Sequence, residues 1–289
     1  MAFAALVMGA FAMGASPLFV RLADVGPYAS AFWRTFLALP FLAAWAMAEP
    51  RREPLRALAA DRAVILSGLF FTGDLFFWHL SILATTVANA TFLATMAPVW
   101  VALGAWMLLK EAAGPRVIGG LILCLVGGAA LIGQTYGFTP ERLPGDVFGV
   151  LTSVFFGCYM LAIRDGRARI GAGTLALLST AVTAACLLVI ALSLEPFILP
   201  RSWNGALALL ALAVVSQVAG QGLLAVALGI LPATFSSLVI FLEAIAAAAF
   251  AWIFLGEALG TLQLFGGLLI LSGIYVARPR SAPAPGAAL

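Results

Sequence analysis

From residue 63 to residue 109 the chain carries one aspartate, one histidine and no lysine or arginine, and from residue 203 to residue 255 its only formal charge is Glu243. A helix needs roughly 20 apolar residues to cross about 30 Å of hydrocarbon. Each run is too long for one crossing and too short for three, so each reads as a hairpin of two helices, turning near Thr85-Thr86 and Leu231-Pro232. Pro232 suits a first helical position, where its missing N–H costs nothing. Six more apolar stretches, 2–22, 27–48, 115–134, 145–164, 171–194 and 261–277, are bounded by charges, Pro or Gly. With the hairpin arms 63–82, 86–109, 203–226 and 232–255 they make ten candidate spans. Only 9% of the residues are charged, against about 25% in a soluble domain, and the mean hydropathy is +1.12. The fold expected is an all-α membrane protein.

The net charge of +3 does not point to nucleic acid, because the basic residues sit between spans. With a cytoplasmic N-terminus, eleven Lys and Arg fall in inner loops and three, Arg21, Arg142 and Arg201, in outer ones, leaving Arg34 inside a span. That is the positive-inside bias of an inner (plasma) membrane protein with both termini cytoplasmic. The first span has no basic n-region and Arg21 follows it directly, so it reads as a span rather than a signal peptide. Cys124, Cys158 and Cys186 fall in apolar spans, with neither a disulfide framework nor metal-ligand spacing. No metal or cofactor is expected. The residues after Arg280 read as a disordered tail, 281–289.

The segments Thr85 to Glu111 and Leu231 to Glu257 align without gaps at an offset of 146 residues, pairing Trp106 with Trp252, Glu111 with Glu257, Gly120 with Gly266 and Gly127 with Gly273. Five spans per half is an odd number, so the second half must enter the membrane from the opposite side. The chain then divides into an inner-facing repeat, 1–140, and an inverted one, 141–280, and transporters commonly bind substrate between such halves. The ordered stretches MGASPLFVRL, FWRTFLALPF and NATFLATMAPVWVALGAWMLLKE, with Pro98, Glu111 and the later Gly256-Glu257, resemble the EamA family of the drug/metabolite transporter superfamily over essentially the whole length. Within it the chain looks most like the YddG-type exporters of aromatic amino acids. The second half has Ala244 where the first has Pro98, so a helix break is not expected there from proline chemistry. The resemblance implies two inverted five-helix halves around a central cavity. The first, third, fourth, sixth, eighth and ninth spans would line it, and the fifth and tenth would pack outside.

The ionisable residues deep in spans are Arg34, Asp74, His79 and Glu243, and such groups in a membrane helix are costly. Asp74, Trp78 and Ser81 share one helix face; His79 lies beside them. Ser236 and Glu243 share a stripe in the ninth span, Asn89 and Trp100 a face in the fourth, and Gln217 and Gln221 lie one turn apart in the eighth. With Tyr159 these form a candidate substrate-binding set. A carboxylate would hold a substrate amine, and Arg34, Asn89 or a Gln amide its carboxylate. The bland reading stands beside it: Asp74 and Glu243 as hydrogen-bonded glue between helices, His79 as a core histidine, and Arg34 snorkelling to the outer interface. Arg34, Pro98, Glu111 and Glu257 are assigned structural or gating roles. The function expected is secondary transport by alternating access, exporting aromatic or other apolar amino acids; the alternative is a broad metabolite or drug exporter. An enzyme is disfavoured, since no second membrane aspartate partners Asp74, and a primary ATP-driven pump is not expected, since no P-loop pattern is present. A channel is the remaining rival. Lipid and a small-molecule substrate are the expected partners. A single histidine leaves proton coupling unproven.

Overall fold

The computed structural model describes residues 1–50, 54–85, 87–110, 112–132, 140–255 and 260–278, and among them it is helical throughout, with no strand. Glu111, Glu257 and the tail 281–289 lie outside the described residues, as does the side chain of Asn89. Seven helical segments are long and apolar enough to cross a membrane: Ala2–Leu22, Pro27–Ala48, Arg62–Ser81, Leu143–Gly166, Ala172–Leu194, Trp203–Leu228 and Ala233–Phe254. Three shorter apolar helices, Phe92–Leu108, Pro115–Ala130 and Thr261–Ala277, occupy the positions of the other three candidate spans. The turn expected at Thr85 follows a helix that ends at Ala84, and Pro232 caps the helix that begins at Ala233.

Several spans are broken. The first comprises α1 (Ala2–Gly14) and α2 (Ser16–Leu22), which restarts at Pro17. The second comprises α3 (Pro27–Phe36) and α4 (Leu39–Ala48), with Pro40 in the first turn of α4. A short α5 (Leu55–Ala59) precedes the long α6 (Arg62–Ala84), whose N-terminus is capped by Asp61 accepting from Ala63 N at 2.8 Å. The fourth span is split into α7 (Val87–Ala94) and α8 (Ala97–Gly104), the latter opened by Pro98. After α9 (Pro115–Ile132), α10 (Leu143–Gly166) and α11 (Ala172–Leu194) run unbroken. The eighth span passes from α12 (Trp203–Ala211) through a π-helical stretch, Leu212–Gln221, into α13 (Gly222–Leu228). The ninth is split into α14 (Ala233–Val239) and α15 (Leu242–Leu255), and α16 (Thr261–Ala277) is the last. Proline explains the restarts at Pro17, Pro40 and Pro98, because it donates no hydrogen bond and clashes with the preceding turn. The ninth span breaks without one. Its turn is tightened by Glu243 N donating to Ile240 O and Ala244 N to Phe241 O, at 2.8 and 3.2 Å. The break at Ala244 is thus made without proline, held by local backbone bonds.

Two helix ends lack a side-chain cap of their own, since α3 and α11 are preceded by Gly26 and Gly171. Each receives a carboxylate from the other span. Glu195, just past α11, accepts from Tyr28 N at 2.6 Å and Ala29 N at 3.2 Å. Glu49, just past α4, accepts from Gly173 N at 2.8 Å and from Thr174 N and Oγ1 at 3.0 and 3.2 Å. A helix N-terminus favours an anion. A Cβ at either glycine would run into the carboxylate.

The fifth and tenth spans pack as an antiparallel pair on glycine. A Cβ on Gly120 would come within 2.5 Å of the Gly273 carbonyl oxygen, and one on Gly127 within 2.7 Å of that of Gly266. Between them the Cys124 thiol donates to Ile270 O at 3.6 Å. Gly119 and Gly267, the neighbours of Gly120 and Gly266, face open space, whereas Gly128, beside Gly127, faces the Phe241 ring. At the loop ends, Asp24 accepts a hydrogen bond from the Ser202 side chain at the start of α12, which holds its carboxyl below the usual range.

Candidate functional site

The helix breaks converge. A cavity of about 140 Å³ is bordered by Ser16 and Pro17 at the first break, Thr95, Ala97 and Pro98 at the fourth-span break, and Ile240, Phe241, Glu243 and Ala244 at the ninth-span break. Non-helical backbone is tolerated at membrane depth where it is buried in protein or lines a cavity. Gln221, at the end of the π-helical stretch, adds a side chain from the eighth span, and α6 contributes Phe71, Asp74, Leu75 and Trp78. The sixth span gives Thr152, Phe156 and Met160.

Asp74 lies near the middle of α6 and Glu243 in the first turn of α15, where the helix dipole favours a carboxylate. Among the described residues neither accepts a hydrogen bond or an ion pair within 4.0 Å. Both border the cavity. Among the described residues no neighbouring helix donates to either carboxyl, so neither is tied to one as a hydrogen-bond acceptor. Arg34 differs from expectation as well. It does not snorkel to the interface: its Nε donates to Gln217 Oε1 at 3.1 Å, its guanidinium carbon stands 5.6 Å from the Phe71 ring centroid, and it borders the cavity. Gln217 Nε2 donates in turn to Thr180 Oγ1 at 3.2 Å, so Arg34 is aimed by a chain of side chains.

The remaining candidates divide. Gln221 and Pro98 are in the cavity wall with Asp74, Trp78 and Glu243. Gln217 stands behind it, holding Arg34. His79 is buried outside the wall; its Nδ1 pairs with the Leu75 carbonyl at 2.6 Å and its ring packs on Tyr28 and Trp78. An imidazole one residue beyond Trp78 on a helix is rotated about a quarter turn away from it, which is why it misses the cavity. Trp100 faces the sixth span, its Nε1 donating to Ser153 Oγ at 2.8 Å. Tyr159 is buried between Phe71 and Phe156, with centroids at 4.8 and 5.9 Å. Ser236 is fully buried with an unpartnered hydroxyl, and its neighbour Ser237 is the one in the wall. These four lie outside the cavity wall in this structure: sharing a face with polar residues does not aim a side chain at the cavity when the helix is broken or packed on a neighbour. Two residues not singled out from sequence, Ser16 and Thr152, present unpartnered hydroxyls in the wall.

Comparison with known proteins agrees with this architecture. A transporter of Archaeoglobus fulgidus with no assigned substrate is 26% identical over 264 residues, covering 89% of each chain. The pseudopaline exporter CntI of Pseudomonas aeruginosa is 31% identical over 188 residues, 64% of this chain and 63% of that one. A solved crystal structure matches with a TM-score of 0.83 over 96% of each chain at 19% identity, which shows the fold alone. The model of the EamA-like transporter family matches twice in succession, over residues 1–133 and 143–278. With nearly every residue covered by that double match and the relatives named as transporters, this chain belongs to the EamA-like transporter family.

Proposed function

We propose that the protein is a secondary exporter of amino-acid-like metabolites, binding an amine and a carboxylate in the central cavity. It spans the inner membrane ten times in two inverted halves, with both termini cytoplasmic. The observation that carries this reading is the opening of the first-, fourth- and ninth-span breaks onto one cavity that holds Arg34, Asp74 and Glu243. Broken helices around a central site are the usual construction of secondary transporters. One of the two acids, Asp74 or Glu243, receives the substrate ammonium; Arg34, aimed by Gln217, receives the carboxylate. Trp78, Phe71 and Phe156 supply apolar walls for the rest of the molecule, which suits aromatic or other apolar side chains. A relative named as a metabolite exporter supports outward transport.

Support for the inverted halves comes from contacts related by the 146-residue offset. Glu49 and Glu195 are 146 apart, and so are the amides of Tyr28 and Thr174 that they receive. Gly120 meets Gly273 and Gly127 meets Gly266, each pair being the image of the other, and Cys124 meets its own counterpart, residue 270. A two-fold axis in the membrane plane requires such reciprocity. Access to the cavity then alternates as one half rocks against the other.

Uptake into proteoliposomes of purified protein tests the reading. Hydrogen bonds to charged groups are worth about 1.5–3 kcal/mol, so Asp74→Asn, Glu243→Gln and Arg34→Gln should each lower substrate flux by about tenfold or more in folded protein. Trp78→Ala should raise the half-saturating concentration, and His79→Ala should act less than any of the charge variants. Undiminished flux in all three charge variants would remove the site.

A further inference from the structure

The cavity's polar groups are unevenly matched to a simple zwitterion. Among the described residues the wall holds one cation, Arg34, and two acids, Asp74 and Glu243. None of the three is ion-paired to another in the structure, so each is a separate hand offered to the ligand. A molecule with one ammonium and one carboxylate uses Arg34 and one acid. The other carboxyl is then left without a counter-charge in a largely apolar chamber, where it stays ionised only if a second cation meets it, because charges interact much more strongly there than in water and an uncompensated ion is strongly unfavourable.

The neutral groups lean the same way. The Gln221 Oε1 atom and the hydroxyl oxygens of Ser16 and Thr152 are buried in the wall without partners. An amide oxygen accepts only, and hydroxyls accept as well as donate. Beside two carboxylates they give an acceptor-rich lining whose one strong donor is the guanidinium. An ammonium brings three donors. Trp78 offers an aromatic face in the same wall, a surface that favours a cation over an anion.

On these observations we propose that the preferred substrate class is a diamino monocarboxylic acid, or a larger metabolite presenting two cationic amines for each carboxylate. Its carboxylate meets Arg34 and its two ammonium groups divide between Asp74 and Glu243. The inference rests on the cavity being the substrate site, as proposed above, and adds the charge state that the site selects.

Three amino acids of one chain length isolate the effect: L-lysine, L-norleucine and L-2-aminoadipate, whose side chains end in an ammonium, a methyl and a carboxylate. Proteoliposome counterflow and thermal stabilisation of the purified full chain in detergent are measured for each. The expected order is lysine, then norleucine at least about tenfold weaker, with aminoadipate weakest. Removing one acid by Glu243→Gln should bring the lysine-to-norleucine ratio, measured within the variant, close to one or invert it. Asp74→Asn gives the same readout should the first variant fail to fold. Norleucine equal to or better than lysine in the unmodified protein would overturn the charge-state inference and leave the cavity assignment standing. Flux of all three that no charge variant alters, or no binding of any of them, would overturn both.

Discussion

Gln217 shows how much of this site is carried by residues that do not touch the cavity. It fixes the guanidinium of Arg34 from behind and is itself fixed by Thr180. Trp100 has a simpler task, tying the fourth span to the sixth through Ser153. Trp100→Phe keeps an aromatic side chain but loses the N–H and part of the indole's volume, so the cost should be at least about 1 kcal/mol, read as lowered unfolding temperature in detergent with substrate affinity unchanged. Asp74 and Glu243 were legible in the sequence because an acid in a long apolar run has no cheap structural use. The aim of Arg34 was not: from two turns inside a span a long side chain reaches either the interface or the bundle interior, and packing decides. Ser16 and Thr152 gave no signal, since hydroxyls are common in membrane helices and normally bond their own preceding turn.

At the scale of elements, proline marked the restarts at Pro17, Pro40 and Pro98. The ninth-span break is written in backbone geometry around Ile240 and Phe241, which residue type does not reveal. The eighth span adds a π-helical stretch, a feature that often accompanies functional sites. The reciprocal caps by Glu49 and Glu195 were open to a reader of the 146-residue offset, which pairs the two glutamates. What the offset alone did not offer is which helix each one serves. Capping contributions of this kind are typically about 1 kcal/mol. Glu49→Ala and Glu195→Ala should therefore each lower stability by roughly that amount. The two sites lie at opposite ends of a 23-residue helix, about 34 Å long at 1.5 Å per residue. The double variant should show additive losses in urea or thermal unfolding. Strong non-additivity would mean that the caps are coupled through the helix pair.

For the whole molecule, an all-helical membrane chain was legible because lipid imposes a regular length on every crossing, and seven of the described helical segments have that length and apolarity. The cavity was less so, because it depends on which faces of seven spans turn inward. The contact between the fifth and tenth spans tests the packing of the two halves. Gly127→Leu would drive a side chain into the Gly266 backbone and should cost about 1–3 kcal/mol, the usual penalty of overpacking. Gly267→Ala, facing open space, should be neutral or stabilising by up to about 1 kcal/mol through helix propensity. Thermal unfolding of the two variants side by side distinguishes this contact from a general intolerance of substitution.

The crossed glutamates have a mechanical meaning for the molecule. Each end of the second and seventh spans is buttoned to the other, one button at either end of the pair, so this pair cannot gape in one direction without tearing a button. It can serve as a spine. In the proposed exporter, the movement that opens the cavity to one side and then the other is expected in the spans outside this pair, where the first, fourth and ninth are broken.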